Sequence, residues 1–146
     1  MQPPSRRPAL IALAAAAAAV ALPEAWAQTA QPQKHKALIQ VSDNDAQKWN
    51  LALNNARNMQ DDLNAEAIDL EIVVYGPGIG MLKADSPVAK RVADALKAGV
   101  QVVACENTMR NQKVGRADML PGIGYVDAGV VEIMKKQQQG WAYIRP

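Results

Sequence analysis

The stretch VVACENTMR, Val102 to Arg110, holds Cys105, the one cysteine in a chain of 146 residues. A thiol acts as nucleophile only when ionised. Here it sits where an apolar run gives way to a polar one able to start a helix. Unpaired backbone N–H groups and the positive end of the helix dipole would favour the anion there. Lowering the thiol pKa from about 8.5 to about 7 would raise the thiolate share at neutral pH from about 3% to about half. The neighbouring carboxylate of Glu106 acts the other way. Arg110, four residues on, is spaced to neutralise Glu106 across one helical turn. Asn107 and Thr108 can cap the helix or donate hydrogen bonds to a group held on sulfur. The competing reading is packing, because free cysteines are commonly small buried core residues.

Little else in the chain carries chemistry. His35 is the only histidine, lies in a polar stretch without a partner cluster, and reads as a solvated side chain. One cysteine and one histidine provide neither a metal set nor a Cys–His dyad. The loop Gly76-Pro77-Gly78-Ile79-Gly80 invites a phosphate-loop reading, but its spacing is GxGxG and no Lys-Ser/Thr closes it. Gly76 and Gly78 are better explained by a tight turn that lets backbone approach the site or a neighbouring subunit. Asp43 reads as a helix N-cap, with a contact at the site edge as the second possibility. No metal or organic cofactor is implied.

These residues must be positioned by alternating elements. Ala37–Val41 is a short apolar run, followed by the cap-rich Ser42-Asp43-Asn44-Asp45. Ala46, Trp49, Leu53, Ala56, Met59 and Leu63 then recur at helical steps. Ile68–Tyr75 reads as a central strand. Ser86-Pro87 opens a second helix with Val88, Val92, Ala95 and Leu96 on one face, and Ala98-Gly99 ends it. Val100–Ala104 is a strand running into Cys105, and 107–114 a short helix. Ile123–Val126, a helix over 129–139 on Val130, Val131, Ile133 and Met134, and Trp141–Ile144 complete the series. Trp49, Trp141 and Tyr143 fall at apolar positions expected to be core or subunit contacts. Alternation of this kind predicts an α/β fold of βαβ units, with a mostly parallel sheet and helices on both faces. Right-handed crossovers would bring Asp43, Gly76 and Cys105 to one sheet edge, where ligand sites of open α/β sheets collect.

The N-terminus, MQPPSRRPALIALAAAAAAVALPEAWAQTA, has the layout of a secretory signal peptide. Arg6 and Arg7 precede an uncharged run from Ala9 to Leu22, and Ala25-Trp26-Ala27 is a small-x-small cleavage site. That run spans about 21 Å as a helix, short of the ~30 Å hydrocarbon core. Residues 1–27 are therefore expected to be removed, giving an exported, periplasmic chain with no membrane span, a flexible leader over 28–36 and a single domain over 37–146. Cleavage removes Arg6, Arg7 and Glu24, taking the net charge from +2 to near +1. With Lys and Arg scattered, a nucleic-acid surface is not expected. In an oxidising compartment a lone cysteine has no internal disulfide partner.

Taken together, the segment VQVVACENTMR, the loop GPGIGML and the C-terminal MLPGIGYVDAGVVEIMKKQQQGWAYIRP resemble the DsrE/DsrF-like family over Lys36 to Pro146. The resemblance implies a five-stranded parallel α/β/α domain assembled as a homo-oligomer, a trimer or hexamer. In sulfur-relay members a cysteine at the place of Cys105 carries sulfur as a persulfide. The expectation is thus an exported sulfur-handling protein in which Cys105 takes sulfane sulfur from a persulfide or polysulfide donor and passes it to a partner thiol. The alternative is a non-catalytic oligomeric module that holds a small ligand at the sheet edge, with Cys105 merely packed.

Overall fold

Strands of a parallel sheet are covered on both faces and therefore read as near-continuous apolar runs. Ile68–Val74 is such a run, with every residue but Asp69 buried. In the computed structural model, which describes residues 33–146, it forms the middle strand of the sheet. The expected signal peptide and residues 28–32 of the leader lie outside the described residues. The strands are β1 (His35–Val41), β2 (Ile68–Val74), β3 (Gln101–Cys105), β4 (Gly124–Val126) and β5 (Ala142–Ile144). The helices are α1 (Ala46–Leu63), α2 (Ala89–Lys97), α3 (Glu106–Asn111) and α4 (Gly129–Gln138). All strand pairs are parallel, in the order β4-β3-β2-β1-β5. β1 begins two residues earlier than the apolar run suggested, because His35 and Lys36 pair with Ile68 and Asp69 while remaining exposed.

The order explains where the layers lie. From β1 to β4 the chain steps outward in one direction, then α4 carries it back across the whole sheet to β5. Right-handed crossovers running in opposite directions must occupy opposite faces. α1 and α2 accordingly pack Trp49, Ala52, Leu53, Ala56 and Val92 on the large core made by Ile39, Val41, Leu70, Ile72 and Val74. α4 takes the other face, where Ile133 meets Leu38 and Val73. Met109 places α3 on the large-core side. The connections leaving β3 and β4 therefore part to opposite faces, and the crevice between those two strand ends is the topological switch point. Full burial of a Leu, Ile or Val in the large core contributes about 1.5–3 kcal/mol each.

Local chemistry fixes the element ends, with three departures from the sequence expectations. Asp45, not Asp43, caps α1, its carboxylate accepting from the Gln47 and Lys48 N–H groups. α2 starts at Ala89 rather than at Pro87, because Ser86 to Ala89 closes a turn first, with the Ala89 N–H on the Ser86 carbonyl at 3.0 Å. On α4 only Ile133 of the expected apolar face is buried, while Val130, Val131 and Met134 are 57%, 39% and 50% exposed. Its sheet-facing stripe is instead Gly129, Ile133 and Lys136, at steps of four and three. There the Lys136 ammonium meets the buried Glu71 carboxylate at 2.7 Å. No helix among the described residues is long and apolar enough to cross a membrane.

The glycine loop is a 3-10 helix over Gly76–Leu82 that buries Gly78, Ile79, Met81 and Leu82. Gly78 lies against the end of β1, where a Cβ would sit 2.8 Å from the Val41 carbonyl oxygen. Backbone cannot retreat as a side chain does, so Gly78→Ala is expected to destabilise the fold by about 1–3 kcal/mol. Chemical denaturation would show it, and an unchanged midpoint would mean that the close approach is relieved at no cost.

Candidate functional site

Cys105 is the last residue of β3 and the N-cap of α3, so its side chain stands at the mouth of the switch-point crevice. It is 5% exposed, yet neither hydrophobic cluster includes it. Its surroundings are polar. Burial pushes the thiol pKa up, but hydrogen bonds from the Thr108 side chain and from the backbone N–H groups of Gly129, Thr108 and Asn107 outweigh it and hold the pKa below the ordinary cysteine value. The sulfur lies 3.9 Å from the Asp127 carbonyl oxygen, to which it can donate when protonated. The same oxygen accepts the Asn107 N–H at 3.1 Å.

Thr108 explains the bias toward the anion. It is buried, and its hydroxyl oxygen accepts the Gly76 N–H at 2.9 Å. A hydroxyl has a single proton to donate. With Gly76 holding a lone pair, that proton is free to turn onto the sulfur. The glycine loop therefore serves the site by fixing a donor. Gly76 has φ +56, a conformation glycine adopts without strain, and its carbonyl accepts the Gln112 side chain at 3.1 Å. Gly78 supports the loop from below and does not reach the sulfur.

The charged candidates are arranged differently from their sequence spacing. Glu106 is engaged by Arg116, whose Nε lies 3.1 Å from Oε1 and whose guanidinium stacks 4.2 Å from the Tyr125 ring. Arg110, expected to neutralise Glu106, instead donates to the Asn107 side-chain oxygen. Glu106 is not among the groups that shift the thiol. Asp43 ends up on the far side of β2, with its carboxylate on Lys48 at 2.9 Å and its carbonyl accepting Trp49 Nε1 at 2.7 Å. Nothing ties it to the sulfur. Asn107 is exposed and contributes its backbone, while Thr108 serves the sulfur rather than capping α3.

Two contributors escaped the sequence reading, the Gly129 amide and the Asp127 carbonyl. They come from the turn after β4 and from the first residue of α4, which only the strand order brings beside Cys105. A signal existed in Gly129 itself, since glycine at the first position of a helix can mark close packing. A Cβ there would lie 3.1 Å from the Tyr75 ring. No cluster of three or more His, Cys, Asp or Glu able to hold a metal occurs among the described residues. A concavity of about 740 Å³ lies at the opposite end of the strands, lined by residues that include His35, Lys36 and Ile68. The thiol is not part of it, and the polar groups that converge on the sulfur are a better guide to the chemistry.

The sequence model of the DsrE/DsrF-like family matches residues 35–146. Among solved structures, the protein of unknown function MTH1491 from Methanobacterium thermoautotrophicum is similar at 33% identity, with a TM-score of 0.74 over 77% of this chain and 100% of that one. The protein of unknown function BT1422 from Bacteroides thetaiotaomicron shares the fold at 16% identity and a TM-score of 0.63, over 76% and 94% of the two chains. The ychN protein from E. coli does so at 12% and 0.62, over 78% and 99%. No curated protein sequence matches significantly.

Because the native thiol pKa is depressed, the linked stability is fully present above the unfolded value and is lost as pH falls through the native one. Thr108→Val removes the hydroxyl donor. It should move the pH profile of Cys105 alkylation upward and slow the reaction at pH 7 by about threefold or more. Thr108→Ser should keep most of the wild-type rate. Glu106→Gln should leave the profile in place, whereas a marked downward move would show that the Glu106 charge reaches the sulfur despite Arg116.

Proposed function

The chain belongs to the DsrE/DsrF-like family, and on that footing we propose that it is an exported sulfur-handling protein that accepts and passes sulfane sulfur on Cys105. The observation that carries this reading is the place of Cys105 at the N-cap of α3 beside a buried Thr108 whose oxygen already holds the Gly76 N–H, an environment that holds the thiol pKa down. Those groups stabilise a thiolate on Cys105, both in the free protein as the attacking group and again when Cys105 leaves after passing its sulfur on. In the first step the Cys105 thiolate attacks the outer sulfur of a persulfide or polysulfide donor. One S–S bond forms, one breaks, and the donor thiolate leaves with the electron pair, so no external oxidant or reductant is required. In the second step an acceptor thiolate takes the outer sulfur and Cys105 leaves as thiolate again. No cofactor takes part.

The low exposure of the thiol favours the rival reading, a small-ligand module with Cys105 merely packed. Reactivity separates the two. A packed thiol stays silent toward a neutral disulfide reagent until the protein unfolds, whereas a reagent thiol reacts in the folded state. A homo-oligomer belongs to the same proposal. The outward apolar residues Val130, Val131 and Met134 on α4, with the 43% exposed Tyr143 on the same sheet face, support a covering copy. Val131→Glu with Met134→Glu should then lower the mass measured by light scattering to that of a smaller species. A wild-type monomer at micromolar concentration would contradict the assembly.

Incubation with polysulfide followed by intact-mass measurement should show addition of one sulfur atom, absent in Cys105→Ala. Wild-type protein that stays unmodified while its thiol is reduced would sink the sulfur-carrier reading. The same spectrum, taken on protein from the exported fraction, should report a chain beginning at Gln28; retention of residues 1–27 would contradict export with cleavage.

A further inference from the structure

A buried ion pair lies on the same face of the sheet as the thiol, at the far end of the helix that reaches it. Lys136 Nζ is 2.7 Å from Glu71 Oε2, with side-chain exposures of 16% and 3%. Glu132, one turn earlier on α4, is 3.7 Å from the same ammonium, which also lies 4.2 Å from the centroid of the Trp141 ring. Leu38 of β1 and Gln101 of β3 flank Glu71 in register. The other Glu71 oxygen, Oε1, is buried with no hydrogen-bond partner.

This is a costly way to dock a helix. Burial pushes the Glu71 carboxyl above its usual range, against the pull of Lys136. A well-packed apolar pair would hold α4 at least as firmly. What the ion pair adds is a directional contact. α4 needs one, because Gly129 and Ile133 are its only buried residues. At its start, Gly129 is packed against the Tyr75 ring. Asp127, two residues before it, sets its carbonyl 3.9 Å from the Cys105 sulfur, and the Gly129 backbone helps to hold the thiol pKa down. Lys136 follows Gly129 by seven residues, about two turns and about 10 Å of stiff rod. With Ile133 as the pivot between them, a tilt at Lys136 becomes a displacement of the Gly129 amide.

We propose that Glu71 and Lys136 are positioning residues for Cys105, their ion pair fixing α4 on the sheet so that the Gly129 N–H is aimed at the sulfur. The proposal rests on Cys105 being the working thiolate, but its readout requires no sulfur transfer. Alkylation of the full chain by iodoacetamide is followed across pH. Lys136→Met and Glu71→Gln should shift the profile upward and slow the reaction at pH 7 by about threefold or more. Lys136→Arg should restore most of the rate, and Lys135→Met, on the exposed side of α4, should change nothing. Folded Lys136→Met and Glu71→Gln proteins that lose only stability, with the thiol profile unmoved, overturn the proposal. Should neither variant fold, the wild-type Gly129 amide resonance decides. It must shift with the ionisation of Cys105, and an amide blind to that titration overturns the proposal equally. Failure of polysulfide uptake with these shifts intact would remove the sulfur-carrier reading and leave the positioning role standing.

Discussion

The site depends on the fact that a threonine hydroxyl has one proton to give. Gly76 donates its N–H to Thr108 Oγ1 at 2.9 Å, which occupies one of the two lone pairs and leaves the hydroxyl proton available to the sulfur. The contact also fixes where the oxygen sits, so the proton is donated from a defined position. With it, Thr108 joins the amides of Asn107, Thr108 and Gly129 as a donor, and a buried sulfur becomes easier to ionise than an exposed one. The requirement reaches back into the fold. Gly76 must hold φ +56 at the end of β2, and Gly78 must let the loop close on Val41. β2 must also lie beside β3, which the sheet order ensures.

The second constraint is the long return of the chain from β4 to β5. It puts α4 alone on one face of the sheet and sends its first amide to the thiol. A helix normally turns its apolar stripe toward the sheet and its charges toward water. α4 does the reverse in part, burying Lys136 against Glu71 and exposing Val130, Val131 and Met134. The inward charges and the outward apolar side chains are two sides of one arrangement. The inner side serves orientation at the site, and the outer side is the surface on which we propose that another copy rests.

Much of this was legible in the residues. Periodicity gave the alternating elements, because a strand covered on both faces has to be written as a run such as Ile68–Val74 and an amphipathic helix as steps such as Trp49, Leu53 and Ala56. The place of Cys105 at a strand end followed from the apolar run before it. What was not legible depended on strand order and on choices between near neighbours. Asp43 and Asp45 are both good caps, and only the backbone geometry at Asp45 selects it. Arg110 and Arg116 can both reach Glu106, and the chain's turn after α3 brings Arg116 instead. The Gly129 amide lies 24 positions along the chain from Cys105 and carries no side chain to announce a role.

The central claim is that folding makes Cys105 more acidic, despite burial. Direct titration of the thiolate by its ultraviolet absorbance, in native and in denatured protein, tests it with no reagent, donor or partner involved. Donor hydrogen bonds on the sulfur predict a native midpoint below the denatured one, which should stand near about 8.5. A native midpoint at or above the denatured value would mean that desolvation wins and that the thiol is packing.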